Sequence, residues 1–186
     1  MYINYNQLSP YLVQALVSTE DARYAEHSGI DFKAIFRAIF KTVILGQQSA
    51  GGGSTITQQL AKQLYSPESS SLWERAMKKP IEWVIAVKLE KLYTKEEIIN
   101  MYLNKFDFCY NAVGIRSAAH IYFNKLPKDL KIEEAAMLIG MCQNPSLYNP
   151  IKRPEKTLQR RSVVLDQMVK SNFLTRAEYD SLKRLP

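Results

Sequence analysis

The chain has 186 residues, a formal net charge of +7 and 46% hydrophobic residues. This length allows one domain with a sizeable core, and the hydrophobic fraction argues against a disordered chain. The excess of Lys and Arg indicates an anionic partner, and composition leaves open nucleic acid, anionic lipid or a phosphorylated substrate. No apolar run reaches the roughly 20 residues of a membrane-spanning helix, and no signal peptide begins the chain. Any membrane anchor is therefore expected upstream, in a longer protein.

The first predicted helix ends beside two adjacent carboxylates. Ser9 followed by Pro10 marks the start of this helix, which runs to about Thr19. Glu20 and Asp21 therefore lie at or just past its C-terminal end. Neighbouring carboxylates can supply a general acid or base for sugar chemistry.

The second predicted helix is amphipathic. Asp31 is expected to cap it, its apolar residues from Phe32 to Val43 follow the helical period, and Gly46 ends it. Two interpretations remain open: a core face opposite a solvated face, or a helix that lies on a membrane surface. The second interpretation rests on the bases that accompany its phenylalanines, which are Lys33, Arg37 and Lys41.

A glycine-rich run at residues 51–53 leads into the third predicted helix. Ser54 and Thr55 are good N-cap residues, and Thr55 with Gln58 fits a capping box. Backbone N–H groups at such a helix start bind anions such as phosphate. Together with the acidic pair, this start predicts a phosphorylated sugar as substrate. Residues 46–71, which include a polar and turn-rich stretch, are predicted to be partly mobile without substrate.

A long helix is predicted at residues 72–92, bent or interrupted by Pro80. Lys78 and Lys79 lie four and three residues before Glu82, so one helical face gathers two cations and a carboxylate. From this spacing alone, the cluster is either a binding site for an anion or a surface ion-pair stripe.

The rest of the chain predicts helix after helix. Two more capping boxes, two prolines and an asparagine set the expected limits. No alternating strand pattern is present, so the predicted class is all-α, with a small β element allowed at residues 105–113. The expected helices run from Thr94 to about Asn104, end near Asn124, span Glu133 to Gln143, begin at Pro154 and begin at Thr175.

Taken together, these segments resemble the peptidoglycan glycosyltransferases of family 51 over essentially the whole chain. The motif with the Glu-Asp pair is matched apart from Tyr24, which replaces a phenylalanine, and the glycine-rich motif is matched in full from Gly52 to Lys62. In the third motif Lys78 replaces the usual arginine. The other matching positions are Glu20, Asp21, His27, Gly29, Lys79, Glu82, Tyr93, Lys95, Glu96, Ile98, Tyr102, Leu103 and Asn104, and the tail Asn144–Pro150 with Arg160 and Arg161.

The chain departs from the family pattern in the irregular segment after Asn104. Asp107 and Cys109 stand where the family has tyrosine and glycine. Asn111 and Val113 stand where it has a later glycine and tyrosine. These differences leave the motif carboxylates unchanged.

The resemblance implies one glycosyltransferase domain over residues 1–186, with a two-lobed, lysozyme-like and mainly helical fold. It implies an inverting transfer that joins lipid II into peptidoglycan strands, from a polyprenyl-pyrophosphate-linked donor to the 4-hydroxyl of the acceptor lipid II. The implied partners are lipid II, the growing glycan strand, the membrane surface and other cell-wall synthesis proteins. The implied location is the outer face of the bacterial cytoplasmic membrane.

The resemblance also assigns roles to motif residues. Glu20 is the expected general base, and Asp21 is a supporting carboxylate. Glu82 is expected either to hold a divalent cation, magnesium or manganese, on the pyrophosphate or to orient the lysines. The residues expected to contact pyrophosphate or sugar are Ser54, Thr55, Gln59, Lys62, Lys78, Lys79, Tyr102 and Asn104.

Three other functions remain as alternatives. A lysozyme-like enzyme that cleaves peptidoglycan would share a helical fold and one key glutamate, but it needs no lysines around a pyrophosphate. A catalytically inactive lipid II-binding module would not require Glu20, Lys62, Lys79 and Glu82 together. Nucleic-acid binding suits the charge, but the sequence contains no recognition motif for it and the partner is not expected to be a nucleic acid.

Overall fold

The computed structural model describes residues 2–45, 53–65 and 72–185. Within these ranges the chain forms nine α helices, and short 3-10 turns lie at Tyr5–Gln7, Tyr24–Glu26 and Pro127–Asp129. The helices are α1 (Pro10–Glu20), α2 (Phe32–Leu45), α3 (Ile56–Tyr65), α4 (Leu72–Leu92), α5 (Lys95–Lys105), α6 (Ile115–Phe123), α7 (Ile132–Met141), α8 (Pro154–Lys170) and α9 (Arg176–Leu182).

The described ranges contain no strand, and their β structure is one isolated antiparallel bridge between Asp107 and Val113. The all-α class is therefore confirmed, and the β element allowed for residues 105–113 amounts to this bridge. Among the described residues, no helix is long and apolar enough to cross a membrane. Of residues 46–71, for which mobility is predicted, residues 46–52 and 66–71 lie outside the described ranges.

The chain divides into two compact units. Unit 1 consists of Met1–Ala22 and Leu103–Pro186, and unit 2 consists of Arg23–Tyr102. Unit 1 contains α1 and α6–α9, whereas unit 2 contains α2–α4 and most of α5. These two compact units correspond to the two lobes expected from the resemblance. The assignment of the whole chain to a single domain stays a prediction.

The core of unit 1 is formed by α1, α7 and α8, which pack against one another. Each of these helices places apolar side chains three or four residues apart, which aligns them on one face. Burial of that face removes apolar surface from water and stabilises the packing of the three helices. The buried side chains include Leu12, Leu16, Ala135, Leu138, Ile139, Val164, Leu165 and Met168.

The core of unit 2 contains the packing of α3 against α4. Ile56 and Leu60 of α3 are fully buried, and Ala86 and Leu89 of α4 are buried as well. Helix α4 continues through Pro80, so the interruption expected at this residue does not occur. Pro80 is exposed to solvent, where its ring is accommodated, and a proline removes only one backbone donor from the helix.

Three predicted helix caps are confirmed. Thr94 donates its backbone N–H to Glu97 at 2.7 Å, and Glu97 N–H donates to Thr94 Oγ1 at 3.2 Å. Thr175 and Glu178 form the same reciprocal pair at 2.7 and 3.3 Å. Asp31 accepts the backbone N–H three residues later at 2.9 Å, at the start of α2. These local bonds satisfy donors that a helix start leaves open.

The loop at residues 107–113 has an unusual backbone. Asp107 accepts a backbone N–H inside the loop at 2.8 Å, and Tyr122 fastens the loop by donating its hydroxyl to Phe108 O at 2.7 Å. Burial raises the pKa of Tyr122 to about 12, so its hydroxyl remains a donor. Three consecutive residues are left-handed, with φ of 66°, 53° and 60° at Cys109, Tyr110 and Asn111.

Candidate active site

Glu20 is the last residue of α1 in unit 1. The buried Leu12 and Leu16 fix this helix in the core, and its last turn brings the Glu20 side chain to solvent, where 15% of it is exposed. A carboxylate oxygen lies 3.8 Å from a guanidinium nitrogen of Arg160 on α8. The predicted base is therefore reachable from solvent and has a cation beside it.

Arg160 is held in place by more than Glu20. Its guanidinium lies 5.8 Å from the centroid of the Tyr148 ring, within the range of a cation–π contact. The neighbouring Arg161 is buried and donates to the backbone carbonyl of Leu185. Burial lowers the pKa of Arg161 below its ordinary value. Arg160 is thus placed at the predicted base, and Arg161 contacts the C-terminal segment.

Asp21 follows α1 directly and is buried. Its backbone N–H donates to Val17 O at 3.0 Å and closes the last turn of the helix. Asp21 is thus buried next to the predicted base in the sequence, and its supporting role stays a prediction.

In unit 2, the start of α3 and the middle of α4 form a charged cluster. Lys79 donates to Ser54 Oγ at 3.1 Å and lies 2.9 Å from Glu82 Oε2. Only 5% of the Glu82 side chain is exposed, whereas 42% of the Lys79 side chain is, so the pair is buried at its carboxylate and reaches solvent through the lysine. A buried carboxylate thus holds one lysine against the residue that precedes the N-cap of α3.

The N-cap of α3 is Thr55, whose hydroxyl is fully engaged. Thr55 Oγ1 donates to Gly29 O at 2.7 Å and accepts the Gln58 N–H at 3.1 Å. The reciprocal half of the predicted capping box is absent from these contacts, and Gln58 Nε2 donates to Gly29 O at 3.2 Å. A buried carbonyl requires donors, and this one takes two. Thr55 is therefore placed to position the helix start, and its buried hydroxyl does not face solvent.

Gly29 is required by its own backbone. Its φ is +93°, and a Cβ at this position would lie 2.8 Å from the carbonyl carbon of Ala86 on α4. Glycine alone avoids both the left-handed strain and this clash. The loop that carries the first motif therefore packs closely on the helix that carries Lys79 and Glu82.

The other predicted contact residues are distributed unevenly. Tyr102 is fully buried and donates its hydroxyl to Gln59 Oε1 at 3.1 Å, which makes it a positioning residue for Gln59. Asn104 hydrogen-bonds the backbone N–H and carbonyl of Ile3. Lys62 is exposed on α3, and Lys78 is half-buried on α4.

A protein-family model described as Transglycosylase matches residues 1–169 of the chain. The chain belongs to the transglycosylase family. The chain is 41% identical to penicillin-binding protein 1A of Vibrio cholerae over 94% of its own length and 21% of that protein. It is 37% identical to penicillin-binding protein 1A of Escherichia coli, over 97% of this chain and 21% of that protein. It is thus about a fifth as long as these relatives.

A crystal structure of penicillin-binding protein 1A from Haemophilus influenzae is also similar. The match has a TM-score of 0.48 and 25% identity, and it covers 70% of this chain and 16% of that one. The family match confirms the resemblance stated from the motifs, and with it the enzyme class of peptidoglycan glycosyltransferase.

Several motif residues of this transglycosylase form a network within unit 2. Lys95 pairs with Glu90 at 2.8 Å, donates to His27 O at 2.7 Å and lies 4.2 Å from the Tyr24 ring centroid. Thr57 of α3 donates to the same Glu90 at 2.6 Å. The network joins the first, second and fourth motifs, so these residues hold the motifs together.

Sequence reasoning missed Glu90 and gave Arg160 no role. Glu90 lies outside the motifs, and nothing in its spacing marks it as the partner of Thr57 and Lys95. Arg160 belongs to a family-like tail, but its contact with Glu20 joins helices that are far apart in the sequence. The Thr57–Glu90 and Arg160–Glu20 contacts join residues far apart in the sequence, so only knowledge of the three-dimensional structure could have predicted them.

The donor set fits a caged metal ion poorly. Among the described residues, no group of three or more His, Cys, Asp or Glu side chains could hold one. Glu82, the residue expected to bind a cation or to orient the lysines, is paired with Lys79. In this structure Glu82 therefore orients the lysine, and the divalent cation expected on the pyrophosphate stays a prediction.

Proposed function

We propose that this transglycosylase polymerises lipid II into glycan strands of the cell wall by inverting glycosyl transfer. The donor is a growing strand on a polyprenyl pyrophosphate, and the acceptor is the 4-hydroxyl of the incoming lipid II. The observation that carries the proposal is the Lys79–Glu82 pair against Ser54 at the start of α3. A fixed cation, a hydroxyl and a helix N-terminus are suited to a pyrophosphate leaving group.

Glu20 acts as the general base. It takes the proton of the acceptor 4-hydroxyl while that oxygen attacks the anomeric carbon of the donor and the bond to pyrophosphate breaks. One displacement inverts an α-linked donor to a β-linked product. Arg160 lies beside the carboxylate at 3.8 Å and orients it toward the reacting hydroxyl.

Lys79 and Ser54 stabilise the negative charge that develops on the leaving pyrophosphate. Glu82 keeps the ammonium group of Lys79 in place, which spares the reaction the cost of reorganising a mobile side chain. Lys62 and Lys78 supply further positive charge on α3 and α4. The steps proposed here use no metal ion, and a divalent cation on the pyrophosphate would add charge neutralisation when bound.

Helix α2 is proposed to meet the membrane that carries the lipid substrate. Phe32, Phe36 and Phe40 are 67%, 76% and 51% exposed, and Lys33 and Arg37 are exposed beside them. Large apolar side chains left in water beside bases suit a helix in the headgroup region of an anionic bilayer. The enzyme would then act at the outer face of the cytoplasmic membrane, together with other cell-wall synthesis proteins.

The rival function is cleavage of glycan by a lysozyme-like mechanism. Such an enzyme has no pyrophosphate to bind, so a lysine held by a buried carboxylate would serve no purpose in it. An inactive lipid II-binding module would bind the same substrate but form no product.

The deciding experiment is product analysis with purified lipid II, in magnesium and in excess chelator, beside a lysis assay with intact cell wall. Glycan strands formed from lipid II support the proposal. Soluble fragments released from cell wall would establish cleavage instead, and lipid II binding without product would establish the inactive module. Comparison of the magnesium and chelator arms decides whether a cation takes part.

A further inference from the structure

A cleft in unit 1 lies apart from the proposed catalytic residues. Its volume is about 430 Å³, and its lining includes the cations Arg116 and Lys128 and the amides Asn6 and Gln7. Asn6 and Gln7 precede α1, whereas Glu20 ends it. An eleven-residue helix is about 16 Å long, so the cleft and the predicted base lie at opposite ends of α1.

One wall of the cleft is the N-terminal segment, which is firmly attached to the rest of unit 1. Asn104 accepts the Ile3 N–H and donates to the Ile3 carbonyl, both at 3.0 Å. Ser9 donates its N–H to Pro127 O at 3.2 Å. The apolar part of the wall consists of Ile3, Leu126 and Pro127. The cleft is therefore held in shape without a ligand.

The start of α6 brings Arg116 into the cleft. Gly114 has a φ of +80°, and a Cβ there would lie 2.7 Å from Asn104 O, so only glycine lets the α6 start approach α5 so closely. Arg116 is half-buried in this position and Lys128 is exposed. Within the described part of the chain, no carboxylate forms an ion pair with either of them.

Two cations without a carboxylate partner in one concave site suit an anionic ligand. A guanidinium group matches a carboxylate or a phosphate with two parallel hydrogen bonds. The Asn6 amide can donate and accept, whereas Gln7, whose Oε1 accepts the Asn4 N–H at 2.9 Å, can donate through its amide nitrogen. These groups suit a peptide group, and the apolar wall suits a small aliphatic side chain. The volume lies in the range of small-molecule sites and exceeds what one inorganic anion needs.

We propose that this cleft binds short peptides that end in a free carboxylate. The carboxylate pairs with Arg116 and Lys128, the side-chain amides of Asn6 and Gln7 bond the peptide backbone, and a small side chain lies against Leu126. This site is independent of the proposed polymerisation, because no catalytic residue takes part in it.

The test uses the whole chain labelled with ¹⁵N and the probe N-acetyl-alanyl-alanine. Chemical shifts should change in a saturable way at Asn6, Gln7 and Arg116, and added salt should weaken the binding. Arg116→Gln should weaken it by about tenfold or more, since it removes a charge-assisted pair. Lys128→Gln, at an exposed position that does not endanger the fold, should weaken it by a smaller factor.

Three matched comparisons make the result decisive. The C-terminal amide of the same dipeptide should bind at least about tenfold more weakly, because it lacks the charge. Lys156→Gln, an exposed lysine elsewhere in unit 1, should leave binding unchanged. Unaltered shifts at the highest soluble peptide concentration, or equal binding of the amide, would overturn the proposal. Inorganic phosphate that binds while the peptide does not would make the cleft a phosphate site instead.

Discussion

The two units hold their key glutamates in different ways. In unit 1 the Glu20 side chain is 15% exposed and has Arg160 at 3.8 Å, whereas in unit 2 the Glu82 side chain is 5% exposed and has Lys79 at 2.9 Å. Contacts of the first kind leave a carboxylate accessible to a substrate. Contacts of the second kind commit it to one partner.

This difference indicates a division of labour. A group that takes a proton from substrate has to be reached by that substrate and has to exchange partners during the reaction. A group that keeps an ammonium in position works best when it is buried and does not move. Loss of Glu20 should therefore affect the chemical step, and loss of Glu82 should affect the binding and stabilisation of the pyrophosphate.

The largest effect is expected from Glu20→Gln. Removal of the base should lower the rate of lipid II polymerisation by about 10²-fold or more, with lipid II binding and the helical circular dichroism unchanged. Glu155→Gln, at an exposed position on α8, is the matched control and should be as active as the parent. Turnover near the parent level in Glu20→Gln would assign the base to another residue.

Glu82→Gln and Lys79→Gln test the role of the buried glutamate of unit 2 and of its lysine partner. Each should lower kcat/KM for lipid II by about ten- to a hundredfold, because a charge-assisted contact to the pyrophosphate is lost or misplaced. If Glu82 acts through Lys79, the double variant should be no worse than the poorer single variant. Additive losses, together with a changed magnesium requirement in Glu82→Gln, would show that Glu82 binds a cation instead.

The exposed bases of α2, on the surface of unit 2, are expected to bind anionic membranes. Charge reversal of Lys33 and Arg37 to Glu should weaken binding to anionic liposomes at low salt by at least roughly 30-fold, since each lost base contributes about 1 kcal/mol and each new carboxylate is repelled. The control reverses Lys156 and Arg184, two exposed bases of unit 1, with the same change in net charge. Equal losses in both double variants would mean that net charge, and not this helix, governs the attraction.

Arg160→Gln tests whether Glu20 needs its neighbour. The expected loss is about tenfold in kcat with little change in KM, because a misplaced base remains present. Arg160→Lys should restore part of the activity and bring the pH dependence of kcat back toward that of the parent. A change confined to KM would assign Arg160 to substrate binding.

Asp31 provides a carboxylate that is buried like Glu82 but has a structural task, so the smallest effect on turnover is expected there. It accepts from Arg23 Nε at 2.9 Å and caps α2. Burial alone would raise its pKa, but the hydrogen bonds from Arg23 and from the backbone outweigh this, and the pKa lies below its ordinary value of 3.8.

Because the pKa is lowered, the contribution of Asp31 to stability is complete above about pH 4 and is lost as the pH falls through the folded-state value. Asp31→Asn should lower the free energy of unfolding at pH 7 by about 1.5–3 kcal/mol. The difference between parent and variant, measured by urea unfolding, should shrink below pH 4. A difference that is constant with pH would rule out the ionised carboxylate as its source.

The sequence predicted most of the helices because their limits are local. The capping pairs Thr94–Glu97 and Thr175–Glu178 and the cap at Asp31 need only residues three apart, and the structure contains all three. Of the two outcomes expected at Pro80, the interruption was wrong, because one lost donor at an exposed position does not end the helix, and the bend stays a prediction.

The candidate site was predictable in its members and less so in its contacts. Motif matching named Ser54, Lys79 and Glu82, and the structure brings these three together. It could not show that Gln58 turns to Gly29 O, since that choice depends on a carbonyl buried by tertiary packing. The pairing of Arg160 with Glu20 likewise depends on the packing of α1 against α8.

The three left-handed residues of the loop at 107–113 reverse a usual rule of protein engineering. A change to glycine ordinarily loosens a protein, but Cys109→Gly would relieve a left-handed strain of about 1–2 kcal/mol. The gain at Asn111 would be smaller, because asparagine tolerates this backbone. The resemblance implies glycine at both positions, where this chain carries cysteine and asparagine. The Cys109→Gly variant should therefore have a higher Tm than the parent protein.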